Sequence, residues 1–149
     1  MAETNAYPTE AELLQIRSDL ASYLPTGKTL TNYMAYALAE VKRALEDQRG
    51  VTWPQVFNST ADAYLVGDDG IARNADRIKQ AVKAFTAALL FRDYAIDSKD
   101  DGKWWAIYQE FWGMGMALVK DSRLDIDTDE SGVIDESEEH QIGQAFLVK

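Results

Sequence analysis

The feature that most constrains the fold is an apolar repeat between residues 71 and 95. Apolar side chains recur there at alternating steps of four and three, which is the period of one face of an α-helix. Such a face must be buried against other elements, so the repeat predicts a central helix over 71–95. Its two and a half heptads are too few to indicate a coiled coil. The repeat consists of Ile71, Ala75, Ile78, Val82, Phe85 and Leu89.

Three further apolar stripes at helical spacing bring the number of long helices to four. Thr9 and Glu12 have the spacing of a capping box before the first stripe. Thr29 or Thr31 can cap the second stripe, which Gly50 ends. The predicted helices span 10–23, 31–48 and 101–122.

The segment between the second and third helices lacks a clear period. Trp53 precedes a proline, and this predicts extended backbone. Ser59 or Thr60 can begin a short helix that runs to Leu65. The glycines and aspartates of 67–70 predict a solvated turn, because their spacing is not that of a metal-binding loop.

The helix predicted over 101–122 carries an aromatic stripe with two interpretations. The stripe either packs in the core or forms a subunit interface, where aromatic residues are enriched. Gly113 and Gly115 each weaken the helix by about 1 kcal/mol relative to alanine, and they allow close approach of another backbone. The stripe consists of Trp104, Tyr108, Phe111 and Trp112, with Trp105 beside it.

Residues 127–138 have the ligand spacing of an EF-hand calcium loop. Side chains with oxygen atoms occupy loop positions 1, 3, 5 and 9, with glycine at 6, an aliphatic residue at 8 and glutamate at 12. A loop starting at Asp125 would instead place Glu130 at the glycine position. The alternative is an acidic solvated loop before a short helix over 136–146. The predicted Ca²⁺ ligands are Asp127, Asp129, Ser131, the backbone carbonyl of Val133, Asp135 directly or through water, and Glu138 with both oxygens.

The acidity of the chain is concentrated around this loop. Residues 121–139 hold nine acidic side chains and one basic side chain, a net charge of −8 out of −10 for the whole chain. Such crowding favours a cation or a basic partner that offsets the self-repulsion. The acidic balance argues against tight binding to nucleic acid, because that affinity depends on Lys and Arg at the phosphates.

Several classes of chemistry lack the residues that they need. The 149-residue chain has no cysteine, which excludes disulfides, thiolate metal sites and Cys–His catalysis. The single histidine, His140, has no serine in an elbow motif, and no phosphate-binding glycine fingerprint occurs. We therefore expect no enzyme. We also expect no membrane span and no secretory signal, since apolar runs are short and residues 1–9 have no basic start.

Together these patterns predict a mainly α protein. The expected architecture is a compact bundle of about four helices with a C-terminal acidic EF-hand-like loop and a short final helix. The length suffices for one hydrophobic core. We assign residues 1–123 to the helical domain and residues 124–149 to an acidic calcium-loop segment and docking tail of the same domain.

Several stretches carry a family resemblance, and their order along the chain matters more than any one of them. They are 7–14 followed by 24–27, 84–93 leading into 104–111, and 124–132. Across most of its length the chain thereby loosely resembles the head–tail connectors of tailed bacteriophages. These small, mostly helical adaptors form the neck beneath the portal.

The resemblance implies a structural virion protein, assembled in the host cytoplasm. It implies a homo-oligomeric ring, commonly a dodecamer, that binds the portal protein on one side and tail or neck proteins on the other. DNA would pass through this ring without sequence-specific binding. A Ca²⁺ ion would then fix the loop and set the angle of the final helix, which we expect to dock on a neighbouring subunit or on the portal.

Two other functions fit the same residues. The chain could be an EF-hand-type calcium-binding regulatory or buffering protein, or a metal-free helical interaction module. EF-hands usually occur in pairs, however, and the sequence has one good loop. Residues 124–126 before the loop alternate like a strand, whereas an EF-hand has an incoming helix there.

Overall fold

The computed structural model describes residues 3–98, 102–121, 123–129 and 131–134, together with the backbone of 141–142. Its helices are α1 (Glu10–Leu13), α2 (Leu30–Arg49), α3 (Ala75–Ser98) and α4 (Lys103–Asp121). Its strands are β1 (Phe57–Asn58), β2 (Ala63–Tyr64), β3 (Arg123–Leu124) and β4 (Gln141–Ile142). Short 3₁₀ turns lie at Thr4–Ala6, Leu20–Tyr23 and Trp53–Gln55. The predicted mainly α class is confirmed.

Helix α3 lies at the centre of the bundle and packs against α2 and α4. It begins at Ala75, four residues later than the repeat predicts. Gly70 and Asn74 hold positive φ angles of 75° and 69°, which interrupt helical backbone before that point. Ile71 is consequently 62% exposed. From Ile78 onward the repeat is inside the bundle, with Ile78, Val82, Phe85 and Leu89 all buried, while Ala75 is half-buried.

The capping signals of the first two helices are confirmed. The Thr9 hydroxyl accepts from the backbone N–H of Glu12, whose carboxylate accepts from the Thr9 N–H. Thr29 and Asn32 make the same reciprocal pair at the start of α2. Gly50 ends α2 with a φ of 67°, a left-handed conformation that glycine adopts without strain.

The aromatic stripe of α4 packs against α3 on one side of the helix. The ring of Trp104 stacks on Phe91 at 5.7 Å, and Trp112 meets Phe85 edge-on at 4.8 Å. Gly115 lies against the same Phe85 ring, where a Cβ atom would come within 3.0 Å of it. Core packing therefore accounts for the inner side of this helix.

The helix predicted over 10–23 is wrong beyond Leu13. Helix α1 is one turn long, and the segment folds again as a 3₁₀ turn at Leu20–Tyr23. Between α1 and this 3₁₀ turn, Arg17 and Asp19 form an ion pair with an N–O distance of 2.7 Å. Residues two apart lie on different faces of a helix, so this pair favours a turn instead. The apolar residues Leu13 and Leu20 are buried nevertheless.

The short helix predicted up to Leu65 is also wrong, since β1 and β2 form an antiparallel pair there. The Asn58 side chain accepts from the N–H of Ala61, a local turn bond that competes with helix. Phe57 and Tyr64, paired across the strands, meet edge-on at 4.9 Å and are buried. Trp53, expected to be extended, begins a 3₁₀ turn.

The final helix predicted over 136–146 is contradicted where the structure describes it. Residues 141–142 form strand β4, which pairs antiparallel with β3 in the register Arg123 to Ile142 and Leu124 to Gln141. The backbone N–H and C=O groups of β3 pair with those of β4, and this pairing favours extended backbone at 141–142. The other positions of that predicted helix, including His140, lie outside the described residues.

Candidate metal-binding loop

The approach to the loop is fixed by contacts with distant parts of the chain. The Asn74 side chain, just before α3, accepts from the N–H of Asp125 and donates to its carbonyl, both at 2.8 Å. The backbone N–H of Asp127 donates to the Gln55 carbonyl at 3.0 Å. Ile126, between them, is buried. The first residue of the predicted loop is therefore held rigidly on the helical body.

Arg73 adds a charged contact to the same approach. Its guanidinium lies 3.2 Å from Asp69 and 3.5 Å from Asp125, and its side chain is 18% exposed. Asp69 also accepts from the N–H of Ile71 at 3.0 Å. Arg73 therefore connects Asp69, in the turn predicted at 67–70, with Asp125, which lies just before the loop.

Asp127, at loop position 1, is a buried carboxylate with 2% exposure. One oxygen accepts from the backbone N–H of Ser131 at 3.1 Å, and the other accepts from the N–H of Gly132 at 2.7 Å. Gly132 has a φ of 89°, so it makes the sharp turn that position 6 of a calcium loop requires. The residues of positions 1, 5 and 6 are thus brought together as the spacing predicts.

Ser131 and Val133 are linked to each other across the next residue. The Ser131 hydroxyl donates to the Val133 carbonyl at 2.9 Å and lies 3.4 Å from an Asp127 oxygen. The hydroxyl and the carbonyl that the sequence predicts as ligands therefore lie side by side. A carbonyl oxygen has two lone pairs, so this hydrogen bond leaves Val133 able to bind a cation.

Asp129 is the exposed member of the set. A hydrogen bond with Asp127 and further bonds from Ser131 hold the pKa of the Asp129 carboxyl below its usual range. One of these bonds comes from the Ser131 N–H at 3.1 Å. The carboxylates of Asp127 and Asp129 both accept from this N–H, so they lie close together, and a bound cation would lower the repulsion between them.

The described part of the loop ends at position 8, and this residue is also anchored to the body of the protein. Ile134, at position 8, is fully buried, and its N–H donates to the Val66 carbonyl at 2.9 Å. It forms a parallel bridge with Gly67. The apolar residue of the loop motif is therefore in the core, while the side chain of Val133 points outward with 38% exposure.

The structure describes four of the six predicted ligands, which lie between residues 127 and 133, and Ser131 makes hydrogen bonds with the other three. Asp135 and Glu138 lie outside the described residues. Within the described ranges, no three carboxylate or imidazole side chains come together as a metal-holding group. The donor set of Asp127, Asp129, Ser131 and the Val133 carbonyl is all oxygen, which fits a hard cation such as Ca²⁺.

The anchors of the loop are the residues that sequence reasoning missed. Gln55, Val66 and Asn74 lie more than 50 positions from their partners, and a spacing motif carries no information about such contacts. Asn74 did carry a signal, because asparagine directly before a helix is a preferred capping residue. Its side chain pairs with the backbone of Asp125, however, and not with the first turn of α3.

No protein-family model, no curated protein and no solved structure matches this chain. The likeness to phage adaptors therefore stays a prediction that depends on residues 7–14, 24–27, 84–93, 104–111 and 124–132. No helix in the part of the chain that the structure describes has the length and apolar character needed to cross a membrane.

Proposed function

We propose that the chain is a structural protein whose 127–138 loop binds Ca²⁺ and so ties its C-terminal segment to the helical body. The observation that carries the proposal is the setting of Asp127. This buried carboxylate organises the glycine turn through two backbone N–H groups. A cation between Asp127 and Asp129 would take the place of the hydrogen bond between these two side chains and leave the backbone N–H bonds of Asp127 intact.

The proposed ligands are Asp127, Asp129, Ser131 and the Val133 carbonyl, with Asp135 and Glu138 from the following residues. The ion would supply positive charge inside a segment of net charge −8, where it lowers the repulsion between carboxylates. The two ends of the described part are already anchored at Gln55 and Val66. Binding of the ion would therefore hold the chain after Ile134 against the helical body.

Calcium titration with thermal unfolding tests the loop. At about one hundred times the Kd, the ion adds about 2.7 kcal/mol to the free energy of unfolding. For a chain of this size that corresponds to an increase in Tm of about 5–10 °C. Calorimetric titration should give one ion per chain, with tighter binding of Ca²⁺ than of Mg²⁺.

A matched pair of variants separates binding from general charge effects. Asp129→Asn keeps an oxygen for the Ser131 N–H but removes a negative ligand, so the increase in Tm should fall to less than half. Asp68→Asn removes the same charge from the exposed 67–70 turn and should leave the increase unchanged. Equal responses to Ca²⁺ in both variants would contradict the proposal.

The setting that we propose for this protein is the neck of a tailed bacteriophage, as a non-catalytic head–tail adaptor. Support comes from the quoted stretches, from the mainly α fold, and from an acidic balance that would not retain DNA inside a ring. Mixing the purified chain with the portal of the same phage should give rings on the portal in electron micrographs. Absence of binding, with or without Ca²⁺, would contradict the adaptor role and leave the calcium proposal standing.

A calcium sensor is the second candidate, favoured by the EF-hand spacing of 127–138. Strand β3 lies where an EF-hand has the end of its incoming helix, so the loop has no helix to reorient at that side. A sensor would expose apolar surface on binding Ca²⁺, and binding of a fluorescent apolar dye would increase. We expect no such increase. A metal-free interaction module would show neither the dye response nor the change in Tm.

A further inference from the structure

A seam between helices α3 and α4 leads from strand β3 to the segment after α1. At the β3 end, a cavity of about 500 Å³ is lined by Arg77 and Arg123. Arg77 also lines a narrow cleft together with Leu118. Leu118 in turn lines an open cavity of about 210 Å³ that reaches Ile16. Because each cavity shares a residue with the next, the three form one path along the two helices.

The cavity of about 210 Å³ offers apolar surface to a further side chain. The described residues leave Met114, on its wall, 42% exposed. A dry cavity of about 150 Å³ with apolar walls is large enough to bind benzene, so this one has room for an aromatic side chain. Its lining residues are the apolar Ile16, Met114 and Leu118 and the polar Gln15, Gln80 and Lys83.

The register of β3 and β4 directs the chain toward this seam. Ile142 pairs with Arg123 in the antiparallel pair, so the chain after Ile142 runs back toward the end of α4 at Asp121. It therefore continues from the β3 end of the seam. The residues that follow, 143–149, lie outside the described residues, and their sequence includes three consecutive large apolar residues, Phe146, Leu147 and Val148.

We propose that segment 143–149 binds in this seam of the same chain, with Phe146 in the open cavity beside Leu118. The distances fit this occupant. From Arg123 back to Leu118 the path covers two extended and three helical residues, about 11 Å. Four extended residues after Ile142 span about 13 Å, which is enough for Phe146 to reach Leu118.

The spacing of the apolar residues in the segment matches the spacing on α4. Met114 and Leu118 are four residues apart in a helix, which corresponds to about 6 Å. Alternate residues of an extended chain lie about 6.7 Å apart and on one side, so Val148 falls beside Met114 when Phe146 is beside Leu118. The segment is already tethered at β4, so this binding is intramolecular and does not depend on protein concentration.

Engineered cysteines test the proposal, because the chain has none of its own. Gln80 lines the open cavity, and Ala145 precedes Phe146. In chelator, which makes the outcome independent of the calcium proposal, the Gln80→Cys, Ala145→Cys variant should form a disulfide within one chain under mild oxidation. Adding Phe146→Ala should slow its formation by about fivefold or more, because most of the buried apolar surface is lost.

A matched pair places the first cysteine elsewhere. Ala39→Cys, at an exposed position of α2 outside the seam, combined with Ala145→Cys should react no faster than the variant that carries Phe146→Ala. Equal rates for the Gln80 and Ala39 pairs would overturn the proposal. A disulfide that joins two chains would also overturn it, because the segment would then bind another copy.

Oxidation of Met114 by peroxide gives a second measurement, on the chain without cysteines. In chelator, Phe146→Ala should raise the oxidation rate of Met114 by about threefold or more, whereas Phe146→Leu should leave it near the wild-type rate. Met34, which is buried in α2, reports in the same sample whether the variant stays folded. An unchanged rate at Met114 in folded Phe146→Ala would overturn the proposal.

Discussion

Glu3 connects the N-terminal segment to three other parts of the fold. Its carboxylate accepts from Lys42 Nζ on α2 at 2.7 Å, from Trp53 Nε1 at 3.0 Å and from Ser59 Oγ at 2.7 Å. Its side chain is 18% exposed. Burial alone would raise the pKa of Glu3, but the three hydrogen bonds outweigh it and hold the pKa below the usual value.

We expect Glu3→Gln to lower the free energy of unfolding by about 1–3 kcal/mol at neutral pH. Hydrogen bonds to a charged group contribute more than neutral ones, and partial exposure keeps the sum well below that of three buried bonds. Because the pKa is lower in the folded state, the stabilisation is complete above the unfolded-state value, 4.5. It is lost as the pH falls through the folded-state pKa, so the difference between variant and wild type should shrink in acid.

Urea unfolding followed by tryptophan fluorescence measures this difference at about pH 7 and about pH 3. Glu46→Gln, which removes the same charge from an exposed site on α2, is the control and should change stability by less than about 0.5 kcal/mol. A loss for Glu3→Gln that is the same at both pH values would refute the electrostatic account. A loss no larger than that of Glu46→Gln would refute the role of the three contacts.

Three further predictions concern stability in chelator and use the same unfolding assay. Asp127→Ala should lower the free energy of unfolding by about 2–4 kcal/mol, because two N–H groups in the glycine turn lose their acceptor; an unchanged value would contradict the geometry of the loop. Gly113→Ala should raise it by about 1 kcal/mol, because its methyl group meets open space, whereas Gly115→Ala should give no gain, since its methyl group meets the ring of Phe85. Arg49→Met should lower it by about 1–3 kcal/mol, because the buried Arg49 donates at 2.9 Å to a carbonyl in the last turn of α4.

The helices were predictable because their signals are local. The period of the apolar residues and the capping pairs act over three or four positions, and they placed α2, α3 and α4 within about four residues of their observed bounds. A predicted helix was wrong where a side chain made a hydrogen bond or ion pair with nearby residues that is incompatible with helical geometry. Asn58 with Ala61, and Arg17 with Asp19, are such cases, and each replaced a predicted helix by a turn or strand.

The loop was predictable in its internal geometry but not in its position on the fold. The spacing of 127–138 anticipated the turn at Gly132 and the buried apolar residue at Ile134. The contacts that hold the loop involve Gln55, Val66 and Asn74. Each joins residues that are far apart in sequence, and only the packing of the helices brings them within reach.

These long-range anchors have a consequence for the order in which the protein folds. Helices α3 and α4 pack most extensively and are joined by four residues, so their association closes a short loop and should be fast. The bonds from Asp127 to Gln55 and from Ile134 to Val66 close loops of more than 50 residues, and they form only on a finished helical surface. The segment should accordingly open as one cooperative unit, with the amide hydrogens of Asp127 and Ile134 exchanging together and before those in the middle of α3.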